Sequence, residues 1–342
     1  MDDLARYSCQ LKLPVWGGAE GQARLRAATV AVVGTGATGC AIADTLVRAG
    51  VGTLRLIDRD VLEASNLQRQ VLYDEQDLQS GLPKAELARR RLAQVNAEVA
   101  LEAHVTDLHA GNVRALLDGA DLVLDGTDNF LTRFVINDAC AQAQVPWVYA
   151  GVVGTEVHGF PVLPGEACFR CYIPSPPEPG STETCQTGGV LGSAVLVAAG
   201  LAATEGLKLL VRGAAEAARG LLVLDVWTRD ARRVRIPKDP DCPTCAGRYD
   251  FLAAPREAHA ELCGQDAVAL RSPTAARLDL EALAARLTEL GALEARNRFL
   301  LRFTPRDAPG LTLTVFADGR ALVRGTQDPG VARSTYAKYV GT

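Results

Sequence analysis

The sequence predicts an α/β fold, a doubly wound and mostly parallel sheet, followed by a small α+β unit. Three observations predict it: a β-branched run that breaks into a glycine-rich turn, a repeated alternation of short apolar runs with helical spacing, and a change of pattern after Tyr249. With 342 residues, 48% hydrophobic and 22% charged, the chain has the profile of a globular protein larger than one ordinary domain. We expect residues 1–250 to form the main domain and 251–342 an accessory one.

The elements follow in order. Thr29–Val33 is a strand that ends in Gly34-Thr35-Gly36-Ala37-Thr38-Gly39, after which Ile42, Leu46 and Val47 recur at helical spacing up to Gly50. Thr53–Ile57 is the next strand and ends at Asp58, which completes a βαβ unit. Ala88, Leu92 and Val95 mark a helix over 83–95. A strand at 121–124 enters the loop Asp125-Gly126-Thr127-Asp128-Asn129, and a helix at 134–143 and a strand at 147–150 continue the alternation. Residues 174–189, rich in Pro, Gly, Ser and Thr, form a long loop. An apolar helix over 190–211 and a strand pair at 221–227 and 232–236 follow. In the tail, 267–270 reads as a strand, 278–290 as an amphipathic helix, and 299–303 as a partner for 311–316.

Charge and composition exclude several classes. The 36 basic and 40 acidic side chains give a net charge of −4, so no protein-wide positive field exists to hold a polyanion, and nucleic acid is not expected as a main partner. The N-terminus carries no readable signal or transit peptide, and the apolar stretch 190–204 falls short of the roughly 20 residues a bilayer requires. We expect a cytoplasmic enzyme with no membrane partner. Nine cysteines in a reducing compartment point to metal binding or nucleophilic chemistry rather than disulfides.

Gly34, Gly36 and Gly39 satisfy G-x-G-x-x-G between a strand and a helix, where backbone N–H groups can meet an anion at a helix N-terminus. Asp58 lies about 20 residues beyond, the place of an acid that accepts from ribose hydroxyls. The bland alternative is a packing turn and a capping carboxylate. Ser65-Asn66-Leu67-Gln68-Arg69-Gln70, after the strand bearing Asp58 and Asp60, groups amide donors and a guanidinium able to fork onto phosphate. Alone, the segment reads equally as an exposed loop. Lys84, beside Pro83 at a helix start, is electrostatically misplaced unless an anion shares the site; taken by itself it reads equally as a solvated surface lysine. Asp128 and Asn129 follow a strand's carboxyl end, where a carboxylate suits Mg²⁺ and either residue can cap the next helix. This set favours phosphoryl over hydride chemistry.

Two C-x-x-C pairs, Cys168/Cys171 and Cys242/Cys245, supply the four thiolates of a closed structural Zn²⁺ site. A redox dithiol is the rival for either pair taken singly. Cys185, in the long loop ahead of a helix start, is a candidate nucleophile, with an unreactive loop thiol as the alternative. Cys40 and Cys140 fit buried helix positions.

R-Y-x-x-Q at 6–10, the glycine loop, S-N-L-Q-R-Q at 65–70, G-L-P-K at 81–84, T-D-N at 127–129, the paired C-x-x-C and a T-C ahead of a glycine-rich helix start together resemble the MoeB/ThiF enzymes, relatives of the ubiquitin-activating enzymes, over residues 5–247. The resemblance implies a Rossmann-like mixed sheet of the ThiF type. It implies also a homodimeric adenylyltransferase that uses ATP and Mg²⁺ to activate the C-terminal Gly-Gly carboxylate of a ubiquitin-like sulfur-carrier protein, for molybdopterin, thiamine or tRNA thiolation. A cysteine desulfurase or a separate rhodanese would be the sulfur donor. By motif, the loop 34–39 would hold ATP phosphates, Asp58 the ribose, Asn66, Arg69 and Lys84 the phosphate charge, Asp128 the Mg²⁺, and Cys185 a covalent sulfur linkage.

Two residues depart from the family pattern. Cys9 stands where an arginine reaching across the dimer is usual, and Ala37 where a second consecutive glycine is common, which the turn tolerates if its φ is negative. The tail is not a rhodanese domain, because Cys263 is followed by Gly-Gln-Asp-Ala-Val. The alternatives are a tRNA-modifying ATPase of the same type, an NAD-dependent oxidoreductase read from the glycine loop alone, and a scaffold without chemistry.

Overall fold

The computed structural model describes residues 4–178, 188–253, 259–261, 267–270 and 278–341. The chain divides into two compact units, Met1–Asp77 with Pro83–Ala254, and Leu78–Leu82 with Pro255–Thr342.

The first unit is built on eight strands: β1 Thr29–Val33, β2 Thr53–Ile57, β3 Ala100–His104, β4 Leu122–Asp125, β5 Trp147–Val153, β6 Glu156–Val162, β7 Leu221–Asp225 and β8 Ala231–Val234. Their order is β3-β2-β1-β4-β5-β6-β7-β8, parallel from β3 through β5 and antiparallel from β5 through β8. The sheet is therefore mixed, as the resemblance implies. β1 and β4 are buried almost throughout, so they read as continuous apolar runs rather than alternating ones. β3 has no counterpart in the sequence reading because it is a half-exposed edge strand with little apolar signal. The strand expected to end at Trp227 stops at Asp225, and Trp227, 77% exposed, lies in the turn that follows.

Register fixes where ligands can go. Val33 of β1 pairs with Ile57 of β2 on one side and Asp125 of β4 on the other, so the loops after all three strands leave the sheet at one edge. The chain runs outward from β1 through β2 to β3 and returns on the opposite side as β4. The crevice between β1 and β4 is thus the point where strand order reverses, the usual ligand position in open α/β sheets.

The helices Ala37–Ala49, Lys84–Val95 and Phe130–Ala143 follow β1, β2 and β4 in sequence as crossovers. The first ends on Gly50 in the left-handed conformation, φ 86°, which closes the helix with Leu46 and Val47 carbonyls. The apolar helix Gly192–Arg212 runs 21 residues, within about two residues at its start and one at its end of the 190–211 the sequence suggests. It buries Ala194, Val195, Ala198, Ala199, Ala202, Ala203 and Gly206, and a Cβ on Gly206 would meet Leu122 at 3.0 Å, so small residues let this helix lie close to the sheet. On the other part of the sheet Phe134, Trp147, Tyr149, Phe160 and Phe169 form an aromatic core.

The second unit carries β9 His259–Glu261, β10 Ala267–Leu270, β11 Gly291–Arg296, β12 Leu300–Pro305, β13 Thr312–Phe316 and β14 Ala321–Arg324, in the order β11-β12-β13-β14-β10-β9. All its pairs are antiparallel, including the expected partnership of β12 with β13. The helices Leu280–Leu287 and Pro329–Tyr339, capped by Asp279 and Asp328, share a core with Leu301, Phe303, Leu313, Val315 and Val323.

Candidate functional site

Three glycines bring two of the strand-end loops into contact. A Cβ on Gly34, whose φ is 83°, would lie 2.7 Å from the Gly126 carbonyl oxygen; one on Gly39 would lie 1.8 Å from that of Gly34; one on Gly126 would lie 2.6 Å from the Gly39 Cα. These positions exclude side chains because backbone meets backbone. Gly36 differs: its Cβ would find only the Gln70 amide nitrogen, at 3.8 Å. Ala37 opens the helix, and among the described residues the only non-glycines with positive φ are Gln144 and Arg229, so alanine fits the turn.

Asp58, at the tip of β2, is buried. Its Oδ2 accepts from the Thr35 N–H at 2.6 Å and the Thr35 hydroxyl at 3.1 Å, and its Oδ1 from the Asp60 N–H at 2.7 Å. Burial, and then the charge of Asp60, push its carboxyl above the ordinary range. The Lys84 N–H donates to the Asp60 carbonyl at 2.9 Å, and the Lys84 ammonium, 6% exposed, stands 3.6 Å from the Asp60 carboxylate. Burial alone would depress the ammonium; the carboxylates of Asp60, Asp58, Asp128 and Glu63 outweigh it and hold Lys84 above the ordinary lysine value. The cation that looks misplaced at a helix start is therefore stabilised by four acids.

The segment 65–70 turns through a short 3-10 helix, Ala64–Asn66, closed by a reciprocal cap in which the Asn66 Oδ1 accepts from the Glu63 N–H at 3.1 Å. Asn66 is buried with its amide N–H₂ left for another partner. Ser65 and Gln68 are exposed, and Leu67 and Arg69 are half-buried. One Arg69 nitrogen donates to the Ser65 carbonyl at 3.0 Å. Gln70 is buried and its Oε1 accepts nothing. Gly192 lets the long helix start close by, since a Cβ there would meet the Gln68 carbonyl at 3.1 Å.

Asp128 and Asn129 are exposed on the loop after β4, and Asn129 caps the following helix by accepting from the Thr132 N–H at 3.3 Å. The charge of Asp128 is felt at Lys84, Arg59 and Arg133, so the loop faces the same electrostatic centre as Asp58 and Asp60. What the sequence reading missed is the frame under this loop. Asp125, fully buried, accepts from the Thr127 N–H at 2.8 Å and hydroxyl at 2.6 Å and takes the Arg133 Nε at 2.8 Å. Arg133 also donates to the carbonyls of Thr127, at 2.5 Å, and Ala150, at 3.2 Å, and stacks over Tyr149. A strand-end acid with an arginine eight residues on was the available signal.

The four thiols of Cys168, Cys171, Cys242 and Cys245 converge, all Sγ atoms lying within 4.8 Å of one another and the nearest pair, Cys168 and Cys242, at 3.5 Å. A tetrahedron with Zn–S bonds of about 2.3 Å has edges of about 3.8 Å, so the cluster fits one zinc ion with no open position. The Asp239 N–H donates to the Cys171 sulfur at 3.5 Å, an outer contact suited to a thiolate. Cys40 and Cys140 are buried helix residues, as expected, and burial pushes the Cys40 thiol up to about 11. Cys9 is exposed. Cys185 and Cys263 lie outside the described residues. The R-Y-x-x-Q motif holds the fold: Tyr7 is buried, with its hydroxyl between Glu98 and Asn96, and Gln10 donates to Gln22 and the Ala49 carbonyl.

A doubly wound mixed sheet, a glycine loop at its reversal point, a buried lysine among acids and a separate four-thiol cluster define a class of α/β protein with a crevice at the strand ends and a cysteine cluster that fits a metal ion. The ThiF family model matches residues 7–244, and the chain belongs to the ThiF family. It is 39% identical over 342 residues to the sulfur carrier protein ThiS adenylyltransferase of Bacillus subtilis (strain 168), covering 98% of this chain and 99% of that protein, so the likeness includes the second unit. It is 39% identical over 250 residues to the sulfur carrier protein adenylyltransferase of Thermus thermophilus, covering 71% and 91%. Among solved structures, E. coli MccB with ATP matches with a TM-score of 0.62 at 22% identity over 71% of this chain and 75% of that one, which shows the fold alone.

Proposed function

We propose that this protein adenylylates the C-terminal carboxylate of a ubiquitin-like sulfur-carrier protein, with ATP as the second substrate and pyrophosphate as the leaving group. The observation that carries the reading is the likeness over nearly the whole chain to a ThiS adenylyltransferase, and it makes a ThiS-type carrier the first substrate to test. The chemistry of the crevice supports it. A peptide carboxylate is already ionised at neutral pH, so attack on the α-phosphorus needs orientation and charge stabilisation but no general base. The residues supply that and little else. The amides of the loop from Gly36 onward meet phosphate oxygens, those of Gly34 and Thr35 being committed to Ile57 and Asp58, with Gly36 leaving the room that a Cβ would fill. Lys84, Arg69 and the free amide of Asn66 offset phosphate charge, and the buried acceptor of Gln70 awaits a donor. Asp58 has acceptor capacity left for a ribose hydroxyl.

Asp128, with Asp60 near Lys84, is the carboxylate we assign to Mg²⁺, which when bound neutralises the triphosphate and aids pyrophosphate departure. The thiolate cluster holds Zn²⁺ as a brace. Cys185 is assigned the covalent sulfur linkage, and the working form is a homodimer supplied with sulfur by a separate donor protein. The test is exchange of labelled pyrophosphate into ATP by the purified protein, with carriers offered one at a time. Exchange should require a carrier ending in Gly-Gly. NAD-dependent hydride transfer, or ATP cleavage that needs tRNA and ignores carriers, would overturn the reading.

A further inference from the structure

Tyr73 lies four residues past Arg69 and is buried to 6% exposure. Its hydroxyl donates to the Thr35 carbonyl at 2.8 Å and stands 3.3 Å from the Lys84 carbonyl. A phenol has one proton, so the shorter contact is the bond and the longer a weaker share of it. Burial raises this phenol well above its ordinary value, so it remains a donor across the working range. Thr35 is clamped at three atoms, since its N–H and hydroxyl are both committed to Asp58.

The Thr35 carbonyl and the Gly36 N–H belong to one peptide plane. The described residues contain no cis peptide bond, so the two groups point to opposite sides of that plane. With the carbonyl drawn inward to Tyr73, the Gly36 N–H is directed away from it, and it finds no acceptor among the described residues. On the same residue the space beside Cα is open apart from the Gln70 amide.

We propose that the Tyr73 hydroxyl is a positioning group for the phosphate loop: by fixing the Thr35–Gly36 peptide plane it presents the Gly36 N–H to a phosphate oxygen of the nucleotide. The inference rests on the adenylylation reading and adds a residue to it. Tyr73 touches neither substrate; it links the segment bearing Arg69, the glycine loop and the start of the Lys84 helix.

The test is the affinity of the full chain for ATP and for adenosine, measured by calorimetry on the wild type and on Tyr73→Phe, which keeps the ring and removes the donor. ATP binding should weaken about fivefold to tenfold, the worth of one net hydrogen bond. Adenosine, which has no phosphate, should bind within about twofold of wild type on the same scale. A merely structural hydroxyl would lower the unfolding midpoint while leaving both affinities alone or weakening both alike, and either pattern overturns the inference. If Tyr73→Phe does not fold, exchange of the wild-type Gly36 amide decides: it should be slowed by ATP and not by adenosine, and equal exchange refutes. A wild type that binds neither ligand removes the nucleotide reading along with the inference. Wild-type ATP binding with an indifferent variant removes the inference alone.

Discussion

Replacing Arg133 with methionine tests whether the loop bearing Asp128 is held by the buried frame beneath it. The substitution keeps an unbranched stem and removes the guanidinium. In the folded protein Asp125 has 0% and Arg133 7% of its side chain exposed, so the carboxylate left behind keeps only its bonds to Thr127 and gains no water. Breaking a buried pair in this way costs about 3–5 kcal/mol, a large share of the roughly 5–15 kcal/mol that holds a protein folded. Urea denaturation should show that loss. Adding Asp125→Asn neutralises the stranded charge, and the double variant should recover about 2 kcal/mol over Arg133→Met alone. Pyrophosphate exchange, measured where the single variant is still folded, should fall more than about tenfold, because the Thr127 carbonyl loses its anchor and the carboxylate that holds the Thr127 amide loses the arginine that holds it in turn. A cost under about 1 kcal/mol, the value of an exposed pair, or a double variant no more stable than the single one, would refute the reasoning.

Asp128→Ala should lower pyrophosphate exchange by about 10²–10³ while leaving the thermal midpoint unchanged, since the side chain is exposed. Near-normal turnover would place the divalent ion elsewhere. Elemental analysis should find one zinc per chain, lost with a drop in midpoint on chelation, and a metal-free protein that stays folded would contradict the four-thiolate brace. Cys185→Ala should spare exchange and abolish any covalent carrier adduct; an adduct that survives removes this cysteine from the mechanism.

Local chemistry was legible in the sequence; the pairings that support it were not. The glycine loop announces itself because a β-branched run, a G-x-G-x-x-G turn and helical spacing follow one another, and the two C-x-x-C pairs because thiolate spacing is itself a signal. Lys84 shows only a conflict at a helix start. Its acids come from the loops after β2 and β4, which register brings to one edge. The Asp125 and Arg133 pair is hidden because its third member is the Ala150 carbonyl of β5, distant in sequence. Tyr73 is hidden for the same reason, being one aromatic in a polar segment whose partner lies 38 residues back. Trp227 misleads because an apolar residue after a strand reads as its continuation.

These pairings bear on how variants of Asp58 must be interpreted. An ionised carboxylate offers about four acceptor positions, and in Asp58 three are taken by the protein itself, two from Thr35 and one from Asp60. Asp58→Asn turns one oxygen into an N–H₂ that cannot accept, and it also removes a charge that helps to hold Lys84. If the nitrogen faces Thr35, the glycine loop loses two bonds at the residue whose carbonyl Tyr73 holds. Lost activity in such a variant would then report phosphate binding as much as ribose recognition. Only a comparison with 2′-deoxy-ATP separates the two, because a ribose contact predicts that wild type and not the variant discriminates between the nucleotides, whereas a disturbed loop weakens both equally.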